Sequence, residues 1–236
     1  NDIYQQISLL KLSFYAPVSY ILPSRLKKYE ELYDTTVDRG KGKFRQVDRE
    51  RSLQSLMTTN LLKRLESSVE SFRLTLGSLK EKHKNMLLKI EQFKQSGNDF
   101  SIHDLNGSLR NLEDEDDDLT GLDDFMIDGK VQVSLADMDL PSWEHDLKTD
   151  LNVILSLLSE MIKIHSQDDA KLQHLKKHIE KKVKNQINPG NKKVLIFTAF
   201  SDTANYLYDN LSHYFLTMGI HSGKVTGSDT PKTTLK

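Results

Sequence analysis

Few residues of this chain stand in a pattern that could make or break a bond. His174 and His178 lie four apart on one helical face, the spacing of a zinc protease helix, but no glutamate accompanies them in that arrangement. With His165 as the nearest third imidazole, they read as solvated helix surface, and no metal ligand is assigned. Lys171, Lys176, Lys177, Lys181, Lys182 and Lys184 form a basic flank without interleaved aromatics. That pattern fits a solvated amphipathic face or a set of phosphate contacts. Lys63 and Arg64 could likewise touch phosphate, or pair with Glu66 and Glu70. Glu113 to Asp118 with Asp123 and Asp124 put eight carboxylates into twelve residues. Like charges repel one another and resist packing, so this run reads as a solvated loop. Its alternatives are an acidic flap that mimics nucleic acid or meets a basic partner, and a metal site. The last lacks the glycine and the ligand order of a calcium loop.

The missing motifs matter as much. There is no Gly-x-x-x-x-Gly-Lys-Ser/Thr loop to cradle phosphates and, outside the acidic run, no Asp-Glu pair to hold magnesium. Gly223-Lys224 follows no complete glycine-rich loop. Phosphoryl transfer needs its cradle, metal and cationic clamp together, so the chain is expected to be inert as an ATPase alone, with no catalytic residue assigned. Lys plus Arg is 33 against Asp plus Glu 34, for a net charge of -1, which gives no global pull toward nucleic acid or membrane. The chain has no cysteine, which excludes disulfides and thiolate metal sites and fits a reducing compartment. No signal peptide and no membrane-spanning apolar run is visible, so the expectation is a cytoplasmic protein without a membrane partner. The start at Asn1, without methionine, fits a processed or excised piece.

Helices must position these residues. Ile3 to Leu12 predicts a first helix, ended before Pro17, and Pro23 can open a second with Leu26, Tyr29 and Tyr33 at helical spacing. Asp38 to Lys43 reads as a basic turn. Leu65, Val69, Phe72, Leu76, Leu79, Met86, Ile90 and Phe93 alternate in steps of four and three, with His83 in the one gap. That is a long helix with a coiled-coil-like seam, ended at Ser96-Gly97-Asn98. A matching seam runs through Leu147, Leu151, Ile154, Leu158 and Met161, and a shorter one through Leu172, Leu175, Ile179 and Val183. The expectation is an antiparallel hairpin projecting from the body, with Trp143 stapled onto the bundle.

Residues 193 to 211 change period. Val194, Leu195, Ile196 and Phe197 form the continuous apolar run of a strand covered on both faces. Ser201 or Asp202 can cap a helix with Ala204, Leu207, Tyr208 and Leu211 on its apolar side. A second strand near Ser222 to Thr226 would complete a right-handed β-α-β unit. Val-Leu-Ile-Phe-Thr-Ala-Phe-Ser-Asp-Thr-Ala resembles the first strand and helix of the second RecA-like lobe in superfamily-2 helicases, the segment called motif IV. Thr226-Gly227-Ser228 falls where these proteins resemble one another again. Asn60 to Ser68 with Val69 and Phe72 resembles the end of lobe one in a bacterial, Snf-like branch. So does Tyr15-Ala-Pro-Val-Ser-Tyr20 followed by Tyr29-Glu30. Asp169 to Leu175 is similar to the helix leading into lobe two.

The resemblance implies a fragment of a DNA- or RNA-directed, ATP-dependent helicase, with DNA the first choice. It also implies ATP and magnesium as cofactors of the parent, though not of this piece. Thr198 and Ser201 would sit at the carboxyl edge of the first strand, and Gly227 and Ser228 at that of the second. Ligands of open α/β sheets bind at that edge, where hydroxyls and free N–H groups suit a phosphate oxygen. The alternative for Thr198 is that it satisfies only its own turn. The fold expectation is mainly α, a helical bundle or hairpin with a partial RecA-like βαβ segment. Its parts are a helical region with the arm helix (1–96), an acidic insert (97–140), a helical bridge (141–190) and a truncated lobe (191–236). The competing reading is a non-enzymatic helical scaffold whose coiled-coil arm binds a protein partner.

Overall fold

The computed structural model describes residues 2–37, 42–97, 133–186, 188–227 and 229–235, and is mainly helical. The acidic run and most of the 97–140 insert lie outside the described residues, as does most of the Asp38 to Lys43 turn. α1 spans Asp2–Leu9, and two 3-10 turns, Ser13–Tyr15 and Pro17–Tyr20, lead to α2, Pro23–Tyr33. β1 (Thr35–Val37) pairs antiparallel with β2 (Gly42–Phe44), and α3 follows at Gln46–Ser67. α4 is Val69–Ser96, α5 is Leu140–Ile162 and α6 is Ala170–Lys184. α7, Ser201–Thr217, precedes a short antiparallel pair, β3 (Gly223–Lys224) with β4 (Lys232–Thr233). Among the described residues, no helix is long and apolar enough to cross a membrane.

The seam that begins at Leu65 is divided between two helices. Ser68 is extended (φ -156°, ψ 153°), and its hydroxyl accepts the Ser71 amide at 3.1 Å, the cap that starts α4. At the far end Gly97 takes φ 67°, where a side chain would be strained, and its amide closes on the Phe93 carbonyl at 2.9 Å. α4 and α5 run antiparallel: Lys94 bonds Glu144 near one end, and His83 faces Asp150 farther along. Phe72, Leu76, Leu79, Met86 and Ile90 are buried on α4, and Trp143, Leu147, Ile154, Leu157 and Met161 on α5. The pair is no projecting arm, because Ile7, Leu12, Phe14, Leu53 and Leu61 belong to the same core. On α5 the seam is rotated from expectation. Leu157 is buried while Leu151 and Leu158 are half-buried, because Asp150 takes the inward place.

Polar groups lock this core. Asp150 accepts the Lys11 amide at 2.7 Å, and the Ser13 amide and hydroxyl at 2.8 and 2.7 Å. The His83 Nε2 stands 3.7 Å away, an electrostatic distance rather than a hydrogen bond. Burial pushes the Asp150 carboxyl up, but the His83 imidazole and the Ser13 and Lys11 donors outweigh it and hold it below its ordinary value. The Trp143 indole donates to the Ser13 carbonyl at 3.0 Å, as expected of a staple. Glu50 of α3 takes the Val18 amide on both oxygens, at 3.2 and 3.1 Å, tying the second 3-10 turn to the bundle. Its burial pushes the carboxyl up to about 8 despite the donors from Val18, Gln46 and Ser19.

The C-terminal expectation is met only in its helix. Residues 192–199 form no strand, and Leu195 and Phe197 are 84% and 91% exposed. β3 pairs with the nearby β4, Gly223 opposite Thr233, and not in parallel with 194–197. A strand exists only with a neighbour to share its N–H and C=O groups. Among the described residues none lies beside 194–197, so a βαβ unit is not seen there. α6 and α7 instead make a second small core of Leu172, Ile179, Val183, Leu211 and Phe215.

Candidate nucleic-acid interface

The head of α7 is held by the junction of α3 and α4. Arg64 follows Leu53, Met57 and Leu61 on the buried side of α3, which carries its guanidinium inward. Its Nη1 reaches Asp202 Oδ2 at 3.0 Å and the Ser71 hydroxyl at 3.2 Å, and its Nε reaches Asn60 at 3.2 Å. The guanidinium lies 4.6 Å over the Phe200 ring. Beside it the Thr203 hydroxyl meets those of Ser67 and Ser68 at 2.8 and 2.9 Å. Ser68 therefore both caps α4 and grips α7.

A second clamp lies one turn farther along α7. Lys224 is buried and bonds Asn205 of α7 and, at 2.8 Å, Asp229. The hydrogen bond from Lys224, followed by that from Asn205, holds the Asp229 carboxyl below its ordinary value. The Asp229 amide donates to the Thr226 hydroxyl at 3.1 Å, which brings Asp229 back against Thr226. Thr226 and Asp229 are thus fastened to the first turns of α7 through Lys224, and Gly227 beside them is exposed. About 100° around the helix from Asn205, Tyr206 donates to Asp169 at 3.0 Å. Burial and then that carboxylate raise its pKa. Asp169 also caps α6 through the Leu172 amide at 3.0 Å.

The six residues expected to touch nucleic acid fare differently. Thr198 is half-buried, and its hydroxyl accepts the Phe200 amide at 3.3 Å, so it satisfies its own turn. Ser201 opens α7 half-exposed, though the residue in the cap position is Phe200. Gly227 lies beside the residues fastened to the same helix, and Ser228 lies outside the described residues. Lys63 is exposed and has no ion pair among the described residues. The Arg64 side chain is 3% exposed and pairs with Asp202 at 3.0 Å. Its charge is turned toward Asp202 rather than toward solvent. Glu70 pairs with Arg73 at 2.7 Å.

Sequence reasoning missed two charges, Asp202 as the partner of Arg64 and Lys224 as a structural cation. A signal existed for the first, since Arg64 interrupts an otherwise apolar helical series. For Lys224 there was none, because an isolated Gly-Lys carries no pattern. Among the described residues no group of three or more His, Asp or Glu could hold a metal ion. The hydroxyls of Thr198, Thr203, Ser67 and Ser68 are engaged within the chain, while Gly227 near the head of α7 is exposed. No protein-family model matches the chain, and neither a curated protein nor a solved structure matches it.

Proposed function

We propose that this chain is a segment of an ATP-dependent, DNA-directed superfamily-2 helicase or translocase, running from the end of lobe one through a helical insertion into lobe two. The observation that carries this is a contact between two blocks far apart in sequence. Arg64, Ser67 and Ser68 belong to the block that resembles the end of lobe one. Phe200, Asp202 and Thr203 belong to the block that resembles motif IV. They meet through an ion pair, a cation–π contact and two hydroxyl bonds. In this reading the contact would fasten the end of lobe one to the head of lobe two. The exposed run Val194 to Phe197 adds support, since four consecutive apolar residues fit a strand whose sheet neighbours would cover both faces.

In this reading ATP and magnesium are bound by other parts of the parent, and Thr198, Ser201 and Gly227 meet the backbone of the tracked strand. The scaffold alternative is the weaker of the two. Its docking stripe on α4 is already covered by α5 and the N-terminal segments. The test is DNA-stimulated ATP hydrolysis by the parent protein, read from a longer coding sequence that includes this chain. Thr198→Ala with Ser201→Ala should weaken the stimulation by DNA while leaving basal hydrolysis in place. A parent without nucleic-acid-stimulated hydrolysis would overturn the proposal.

A further inference from the structure

α6 is committed to packing on one side only. Leu172, Ile179 and Val183 face Leu211 and Phe215 of α7, and Glu180, the one carboxylate on α6, accepts the Tyr214 hydroxyl at 2.8 Å. Lys176 lies 3.5 Å over the Tyr214 ring, and Lys171 bonds the carbonyls of Glu66 and Ser67 at the end of α3. What remains is a solvent face of His174, Lys177, His178, Lys181 and Lys184, all exposed. With 3.6 residues per turn, these five fall within about 120° of arc and along about 15 Å of helix. The two imidazole rings stack at 5.6 Å between centroids. Among the described residues, no carboxylate lies within ion-pair distance of Lys177, Lys181 or Lys184.

We propose that this face is a track for the phosphodiester backbone of nucleic acid. A protein partner would seek an aromatic or aliphatic anchor at the centre of its patch, and this face offers none. It also carries no Phe, Tyr or Trp on which to stack a base, so it does not hold unstacked strands by their bases. Lysine is a point charge on a flexible stem, able to meet phosphate without a fixed geometry and without reading sequence. A DNA duplex presents one charge per ~1.7 Å of axis, more phosphates along this length than three lysines can neutralise. The face is distinct from the Thr198–Gly227 edge and shares with the proposed function only the class of ligand.

The experiment is fluorescence anisotropy of the 236-residue chain on a short mixed-sequence DNA duplex over a range of salt. Three phosphate contacts contribute a slope of about -2.7 in log K against log salt, or a loss of about 40-fold between 50 and 200 mM. Replacing Lys177, Lys181 and Lys184 together by Gln should make the slope shallower by about 2.7, with helical content retained in circular dichroism. The charge-matched control Lys27→Gln, Lys84→Gln, Lys148→Gln should leave the slope unchanged. Thr198→Ala with Ser201→Ala separates the two proposals. If it weakens binding while the α6 variant does not, the track is wrong and the helicase reading survives. If only the α6 variant weakens binding, the track stands without the edge contacts. Equal slopes for wild type and α6 variant, no binding at low salt, or displacement of the duplex by polyglutamate at matched charge would each overturn the track.

Discussion

Replacing Arg64 by Met tests whether one guanidinium couples the two cores of this molecule. The substitution keeps the length and apolar stem and removes the charge. Three contributions are lost. The charged bond to Asp202 at 3.0 Å is worth about 1.5–3 kcal/mol. The cation–π contact with Phe200 is worth about 0.5–2 kcal/mol, depending on desolvation. The bond to Asn60 adds little net, while the fully buried Ser71 hydroxyl loses a donor and adds to the cost. Asp202 is 17% exposed, so it recovers part of its hydration, which keeps the loss toward the low end of the 3–5 kcal/mol of a fully buried broken pair. A loss of about 2–4 kcal/mol follows. It should not spread evenly, since Leu172, Ile179, Val183, Leu211 and Phe215 form a core separate from that of α4 and α5. Hydrogen exchange should therefore show amides of α7 losing roughly 30-fold or more in protection while α4 and α5 keep theirs. A double-mutant cycle with Asp202→Asn should give a coupling of about 1–3 kcal/mol. Unchanged protection in α7, or equal loss in α4, would refute the coupling.

Other substitutions probe the main core. Phe72→Ala or Leu76→Ala should cost about 2–5 kcal/mol in urea unfolding, and Lys80→Ala, off the seam, under about 0.5 kcal/mol. Equal losses would sink the seam assignment. Asp150 lies below its ordinary value in the fold, so the stability it adds is present above about pH 4 and fades as pH falls through the folded value. Asp150→Asn should thus be less stable than wild type at pH 7, with the gap closing on acidification, and a gap independent of pH would count against it. Glu50 has the opposite sign. Its folded value of about 8 lies above the ordinary 4.5, so its ionisation opposes folding increasingly between those pH values. Glu50→Gln should gain on wild type as pH rises from 5 to 8, by at most about 5 kcal/mol, and a flat difference across that range would rule the penalty out.

The helices were legible because burial on one side of a helix imposes a spacing that sequence displays directly. Phe72, Leu76, Leu79, Met86 and Ile90 show it, and all are buried. The break at Ser68 was hidden because the apolar series runs through it, Leu65 on one helix and Phe72 on the next. Only the capping hydroxyl marks the boundary. The rotation of α5 was hidden for a related reason. Asp150 reads as a solvent residue until Ser13 and Lys11, nearly 140 positions away, bring donors to it. The strand at 194–197 failed differently, since strand is a property of two segments and an apolar run describes only one.

For the candidate site the sequence offered positions and left their contacts hidden. Resemblance drew attention to residues 198–201 and 227, and the Lys224 clamp does fasten Asp229, near Gly227, to the helix that Ser201 opens. The roles moved, however. Arg64, taken from its neighbour Lys63 as one of two cations for phosphate or a carboxylate nearby, is the one that turns inward. The sequence does distinguish them: Lys63 lies about 200° around the helix from Leu61, while Arg64 continues the series Leu53, Met57, Leu61. A cation on the apolar side of a helix must find a carboxylate or break the core. That carboxylate had to come from a segment that docks there, and Asp202 in the first turn of α7 supplies it. α6 keeps its surface cations for the converse reason: Lys177, Lys181 and Lys184 lie opposite Leu172, Ile179 and Val183, and among the described residues no carboxylate docks on them.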